Sequence, residues 1–214
     1  PVIYGSFITN LDLRSGMPVF GSPESQLALY ASAQLARRYG LPFRGGGMFT
    51  SSKISDAQAA YESMNVMLPT VMAGTNFVLH AAGWLENGLV SSYSKFILDC
   101  EVLGMMIKWS EGLDASQREL NEALKSICKV DPGGHHLATE LTMKRYRNAF
   151  YTSDVFDYKN FDDWKDKGCK EASKLGAEMA ARLLEGYEQP ELEEGIAKAL
   201  FIYMANRKSE LVAN

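Results

Sequence analysis

Thr75-Asn76-Phe77-Val78-Leu79-His80-Ala81-Ala82-Gly83-Trp84-Leu85-Glu86 reads as a buried strand that ends on a histidine and opens onto Gly, Trp and Glu. A short apolar run closed by polar residues is how an active-site rim looks in an α/β sequence. Side chains alternate along a strand, so Asn76, Val78 and His80 are expected on one face and Phe77, Leu79 and Ala81 on the other. The polar set is expected to face a site and the apolar set to pack under helices. A core histidine bonded to a backbone carbonyl is the competing reading of His80, and residue type alone does not separate the two.

Working outward, the ninety residues around this stretch alternate short apolar runs with segments of helical period, the pattern of βα units and a parallel sheet. The first run is 2–7. Ser22 then suits an N-cap and Pro23 the first helical position, with a helix ending near Tyr39-Gly40. The second run, 41–48, is interrupted by Gly45-Gly46-Gly47, where the backbone can turn or approach another group closely. Ser55-Asp56-Ala57-Gln58 fits a capping box and starts a helix to about Met72. Two βα units thus precede a third strand. Such an arrangement fits an open doubly wound sheet or an arc of a βα barrel, and an arc leaves two edges to be covered.

Beyond about Ser94 the pattern becomes a succession of helices, expected over 94–111, 115–129, 137–150, 161–186 and 191–207. Gly112, the turn Asp131-Pro132-Gly133-Gly134 and Gln189-Pro190 fall between them. The chain therefore divides at about residue 112 into a βα part, 1–112, and a helical extension, 113–214.

The 214 residues are 46% hydrophobic, enough to build a core, and the net charge of −4 comes without a basic block. Neither a nucleic-acid groove nor a polybasic membrane patch is indicated. No apolar run approaches the roughly 20 residues of a membrane span. Cys100, Cys128 and Cys169 are odd in number and lack CxxC spacing, which fits a reducing cytoplasm. A chain that starts at Pro1 with strand-like Val2-Ile3-Tyr4 directly behind it reads as a cut inside a domain.

Several residues carry possible chemistry. His80, Trp84 and Glu86 together offer an imidazole, an aromatic face and a carboxylate, as a site for a methylated ammonium ion requires, because ring quadrupoles and negative charge both attract the cation. Taken singly, Trp84 is a packing anchor and Glu86 a helix-start charge. The triple glycine lacks the spacing and the Lys-Ser/Thr ending of a phosphate loop. His135-His136 has no carboxylate or cysteine at ligand spacing, so no metal is expected, although His135 can reach a pocket edge. Met64, Met67, Met72, Met105 and Met106 are expected to fill core gaps. The Glu/Lys-rich segment 162–194 reads as a solvated helix face.

Five stretches together resemble one family. They are Val2-Ile3-Tyr4-Gly5-Ser6-Phe7, Gly16-Met17-Pro18-Val19-Phe20-Gly21, Tyr39-Gly40-Leu41-Pro42-Phe43-Arg44, His80-Ala81-Ala82-Gly83-Trp84-Leu85-Glu86 and Asp131-Pro132-Gly133-Gly134-His135. The family is that of the trimethylamine methyltransferases, with the glycine betaine methyltransferases that lack pyrrolysine. The resemblance implies the C-terminal half of a (βα)8 TIM barrel, followed by a helical region, from a protein about twice as long.

It also implies an enzyme of one-carbon metabolism that moves a methyl group from a methylated amine to a corrinoid protein. The cobalamin-type cofactor would then be carried by that partner, with none bound directly. In the trimethylamine enzymes a pyrrolysine follows the strand that reads Arg44-Gly45-Gly46-Gly47-Met48 here, and Phe49 takes its place. That departure shifts the expected substrate to a quaternary amine such as glycine betaine, which already carries the charge that makes the amine a leaving group.

On this resemblance His80 orients the substrate, Glu86 supplies charge or shapes the loop, and Trp84 and Phe49 form the cation-facing wall. Tyr4, Ser6, Arg44 and His135 extend the site, with Arg44 meeting a substrate carboxylate if its side of the strand faces inward. A homo-oligomer through the open edges is a further expectation. An inactive fragment or interaction protein of the same fold, or an unrelated α/β enzyme, are the competing readings.

Overall fold

Helix α1, Pro23–Arg38, begins where the sequence signals it: the extended Ser22 accepts a hydrogen bond from the Ser25 amide, and Pro23 occupies the first turn, where a missing N–H costs nothing. After the cap at Tyr39, Gly40 takes φ +66°, the left-handed conformation that glycine adopts without penalty. Helix α2, Ala57–Met72, is capped by Asp56, whose carboxylate accepts from the Ala59 amide at 2.9 Å. The expected Ser55 box does not form: the cap is Asp56, and the Gln58 side-chain Nε2 donates to the Glu62 carboxylate at 2.8 Å.

A computed structural model describes residues 1–212, in a helix-rich α/β arrangement. Strand β1, Tyr4–Gly5, follows from the first apolar run, and the hairpin β2, Asn10–Leu11, with β3, Pro18–Val19, precedes α1. Strand β4, Phe43–Arg44, pairs with β1 in parallel, Tyr4 opposite Phe43 and Gly5 opposite Arg44. The 75–81 segment joins β4 through two isolated parallel bridges, Arg44 to Phe77 and Gly47 to His80. Three segments thus lie side by side in sequence order, each far shorter than its apolar run.

The shortening has a local cause. Gly46 at φ +69° and Gly47 at φ +146° leave strand geometry, so the ladder is broken after Arg44. The chain turns again at Leu79, and this changes the faces expected of the third segment. Phe77 and Leu79 are exposed, at 49% and 57%. Val78 and Ala81 are the residues that pack inward, against Met48, Met67 and Met106. A strict alternation would have put Val78 and Ala81 on opposite sides, and the turn brings them together.

Beyond the third segment, β5, Trp84–Leu85, and β6, Val90–Ser91, form an antiparallel hairpin. Helices α3, Tyr93–Ser110, α4, Gln117–Ile127, α5, Glu140–Arg145, α6, Phe161–Asp166, α7, Ala172–Glu185, and α8, Glu194–Val212, follow with no further strand among the described residues. The helix expected over 161–186 is two helices, separated where Gly168 and Cys169 both take positive φ. That expected over 137–150 is reduced to the six residues of α5. Among the described residues no helix is long and apolar enough to cross a membrane.

Two clusters of buried side chains support the parallel segments. Leu29, Ala33, Ala36, Phe43 and Ala73 join α1 to β4, and Met48, Met67 and Met106 join α2 and α3 to the segments that end at Met48 and Ala81. Of the methionines expected in the core, Met67 and Met106 are there, whereas Met64 and Met72 are exposed. By compactness the chain falls into two units, the first Pro1–Ala181 and the second starting at Arg182 and containing α8.

Candidate functional site

Five rings gather where the three parallel segments end. Phe7 follows β1, Phe20 follows β3, Phe49 follows the triple glycine, His80 closes the third segment and Trp84 opens β5. Phe49 stacks on Phe20 at 4.6 Å between centroids and 24° between planes, and lies 5.1 Å from His80 and 6.5 Å from Trp84. His80 meets Trp84 edge-on at 5.5 Å and Phe7 at 5.4 Å. Phe20 and Phe49 form a buried floor, at 7% and 3% exposure, while Phe7 is 54% exposed. Ring faces carry negative quadrupole density, so such a wall attracts an organic cation.

Local backbone chemistry brings the wall together. The Met48 amide donates to the His80 carbonyl at 3.0 Å, which sets Phe49 beside His80. A Cβ on Gly47 would overlap that same carbonyl, so only glycine permits this approach. The Trp84 loop is held at several points. The Gly83 amide donates to Asp99 at 2.8 Å, the Ser92 amide to the Gly83 carbonyl at 3.0 Å, and the Glu86 and Asn87 amides to the Ser52 and Thr50 carbonyls at 2.8 Å each.

Two charged groups border the rings. The Arg44 guanidinium lies 5.7 Å from the centroid of the Phe7 ring and has no salt bridge or hydrogen bond among the described residues. Burial, and secondarily the positive charge of Arg44, hold the His80 pKa below its usual 6.5, so the imidazole is neutral at neutral pH. Glu86 sits at φ +47° in a tight bend with Asn87 at φ +55°, and its carboxylate makes no hydrogen bond among the described residues. Its backbone amide fastens the loop.

His80, Trp84, Phe49 and Arg44 are therefore close together, with Glu86 two residues beyond Trp84. Tyr4 makes none of these ring contacts, and Ser6 touches a small cavity beside Phe20 and Phe49. Tyr4 packs 6.2 Å from Tyr39 and 6.3 Å from Phe43, and the Ser32 hydroxyl of α1 donates to that of Ser6 at 3.2 Å. His135 is exposed in the turn before α5 and belongs to none of these ring contacts. Phe7 and Phe20 were not singled out from the sequence, although both stand inside the quoted motifs. The buried pair Lys95 and Asp99 was not singled out either, its only trace being opposite charges one helical turn apart.

The rings form a wall and not an enclosed pocket. A cavity of about 30 Å³ touches Ser6, Phe7, Phe20, Gly46 and Phe49, room for a single water. A larger cavity, about 330 Å³, lies between α2 and α3 beside Met48, Met64, Lys95 and Val102, and none of the five rings lines it. The aromatic wall is the better candidate because its five rings meet one another where the parallel segments end, with a guanidinium beside them, whereas the larger cavity has the single ring of Phe156.

Parallel segments ending in an aromatic wall beside a guanidinium are the candidate site of this helix-rich α/β chain. The chain belongs to the trimethylamine methyltransferase (MTTB) family, whose model matches residues 1–212. It is 40% identical to a glycine betaine methyltransferase of Desulfitobacterium hafniense over 99% of this chain and 43% of that protein. It is 32% identical to a proline betaine:corrinoid methyltransferase of Eubacterium limosum, over 90% of this chain and 40% of the relative. With a trimethylamine methyltransferase of Methanosarcina mazei the identity is 33%, over 92% and 39%. The chain thus spans less than half the length of these curated relatives.

Proposed function

We propose that a protein of the relatives' length carrying these residues moves a methyl group from a betaine-type quaternary amine to a corrinoid protein. The observation that carries this reading is the aromatic wall of Phe7, Phe20, Phe49, His80 and Trp84 with Arg44 beside it and unpartnered. The rings face the methylated ammonium group and Arg44 takes the carboxylate. In this reading residues 1–112 are the C-terminal part of a (βα)8 barrel and 113–214 a helical extension. The site lies at the C-terminal ends of the strands, where barrels hold their ligands.

The reaction breaks one carbon–nitrogen bond. The nitrogen keeps the bonding electron pair and leaves as a neutral tertiary amine, and the methyl group passes to cobalt. A reduced corrinoid on the partner protein supplies the electron pair that takes it. Because the quaternary nitrogen is already charged, no acid is required, which agrees with a neutral His80. His80 then orients the substrate without repelling the cation, and Phe49 and Trp84 hold the departing methyl in line. Phe49 at the place of a pyrrolysine favours a quaternary amine over trimethylamine. Soluble, cytoplasmic work with a corrinoid protein is part of the proposal.

The test is to supply the full-length protein with a reduced corrinoid protein and a panel of betaines, following methyl–cobalt formation by absorbance. Methylation from at least one betaine is expected, and none from any would overturn the reading. The 214 residues alone are expected to give none, since they provide one wall of the site.

A further inference from the structure

Lys95 and Asp99 face each other across one turn of α3, Nζ to Oδ2 at 2.5 Å, with only 2% and 4% of each residue exposed. Burial disfavours both charges, pulling the Lys95 pKa down and pushing that of Asp99 up, and each is opposed by the charge of the other. A buried ion pair yields little net stability over an apolar pair of the same volume. What the pair does besides is read from the groups it touches.

Outside the pair, its hydrogen bonds run to three places. Lys95 donates to the Ser63 hydroxyl on α2 at 2.9 Å and to the Met48 carbonyl at 3.4 Å, and Asp99 accepts from the Gly83 amide at 2.8 Å. Met48 directly precedes Phe49, and Gly83 directly precedes Trp84. With its amide on His80 and its carbonyl on Lys95, Met48 has both backbone groups committed. Gly83, at φ +87°, leaves just enough room for the Phe96 side chain of the same helix.

We infer that Lys95 and Asp99 are positioning residues, fastening the backbones of Met48 and Gly83 so that Phe49 and Trp84 stand at a fixed separation around His80. The inference rests on the betaine reading for its purpose, but the fastening itself can be measured without substrate. The pair touches no ring of the wall and acts through the residues before Phe49 and Trp84. A quaternary ammonium held by two ring faces is sensitive to their spacing, and misplacement of about 1 Å can cost on the order of a hundredfold in turnover efficiency.

The test compares full-length wild type with the double variant Lys95→Met and Asp99→Leu, which replaces the pair by apolar groups, and with Asp99→Asn, which keeps an acceptor for Gly83. Hydrogen exchange followed by mass spectrometry reads the peptides covering 46–52 and 81–91, beside thermal unfolding and the KM and kcat for glycine betaine. In the double variant exchange is expected to quicken in those two peptides alone, with Tm little changed and KM raised about tenfold or more. Asp99→Asn leaves the buried Lys95 without its countercharge, so its Tm is expected to fall further than that of the double variant, while the acceptor it keeps for Gly83 holds exchange in 81–91 nearer to wild type than in 46–52.

Unchanged exchange in both peptides would overturn the inference, as would a change spread evenly over α2 and α3 in step with a lower Tm. If the double variant does not fold, Asp99→Asn is judged by the same two patterns of exchange. A wild type that methylates cobalt from no betaine would remove the proposed function, while the exchange result would still decide whether the pair fastens these backbones.

Discussion

Phe49 lies nearly parallel to Phe20, with 4.6 Å between ring centroids, and presents its remaining surroundings to His80 and Trp84. A residue so placed fills the floor and, on the proposed function, also faces the ligand, and substitutions can separate the two.

Phe49→Ala removes a ring that is 3% exposed and is expected to destabilise the protein by about 3–5 kcal/mol in denaturant unfolding. Phe49→Leu keeps most of the volume and should cost under about 1.5 kcal/mol. It should nevertheless weaken calorimetric binding of glycine betaine by about 0.5–2 kcal/mol, the value of a lost cation–ring contact. Undiminished affinity in the leucine variant would reduce Phe49 to packing.

Arg44 should govern which quaternary amines bind. With no carboxylate partner in the described residues, its guanidinium is free to meet that of a betaine and repels a cation that lacks one. Arg44→Met is expected to weaken glycine betaine by about tenfold or more, the worth of a charge-assisted hydrogen bond, while tetramethylammonium binds as well as before or better. Equal losses for both ligands would rule out a carboxylate contact.

The pH dependence follows from His80. Its folded pKa is below 6.5, so between the two values the unfolded chain holds the extra proton and stability rises with pH. That contribution is present above 6.5 and is lost as the pH falls towards the folded value. Betaine affinity should fall at lower pH still, as the folded His80 itself takes up a proton below 6.5, because a protonated imidazole repels the ammonium group. His80→Asn should flatten the affinity profile; an unaltered profile in that variant would assign the dependence to another group.

Gly47→Ala tests the backbone of the wall. Its Cβ would overlap the His80 carbonyl, and φ +146° is a conformation that side chains resist. A loss of about 1–3 kcal/mol is expected in thermal unfolding. Gly16 has a positive φ of +73°, in the left-handed region that side chains tolerate better, and no neighbour within 4 Å of a Cβ, so Gly16→Ala should cost less. Equal costs would mean that neither the His80 contact nor the φ of Gly47 constrains this turn.

Sequence reading located α1 and α2 closely because their signals are local: a serine or aspartate cap, a proline in the first turn, a glycine beyond the end. It was least successful with strands. Two-residue pairings such as Trp84–Leu85 with Val90–Ser91 carry too little alternation to be read, and the turn at Leu79 reversed the faces assigned around it. His80, Trp84, Phe49 and Arg44 were legible through their motif context. Phe7 and Phe20 were not, because their approach to Phe49 depends on pairings distant in sequence. Lys95 and Asp99 were hidden for a similar reason: opposite charges at this spacing usually mark a solvated helix face, and only the packing of α3 shows them buried.

The bend that holds Trp84 is secured from Gly83, Glu86 and Asn87 at once. A loop riveted along its length makes a poor gate. On the proposed function, ligand traffic and the docking of a methyl acceptor are accordingly expected on the Phe7 side, where the ring stands half in solvent, with Trp84 as a stationary backstop.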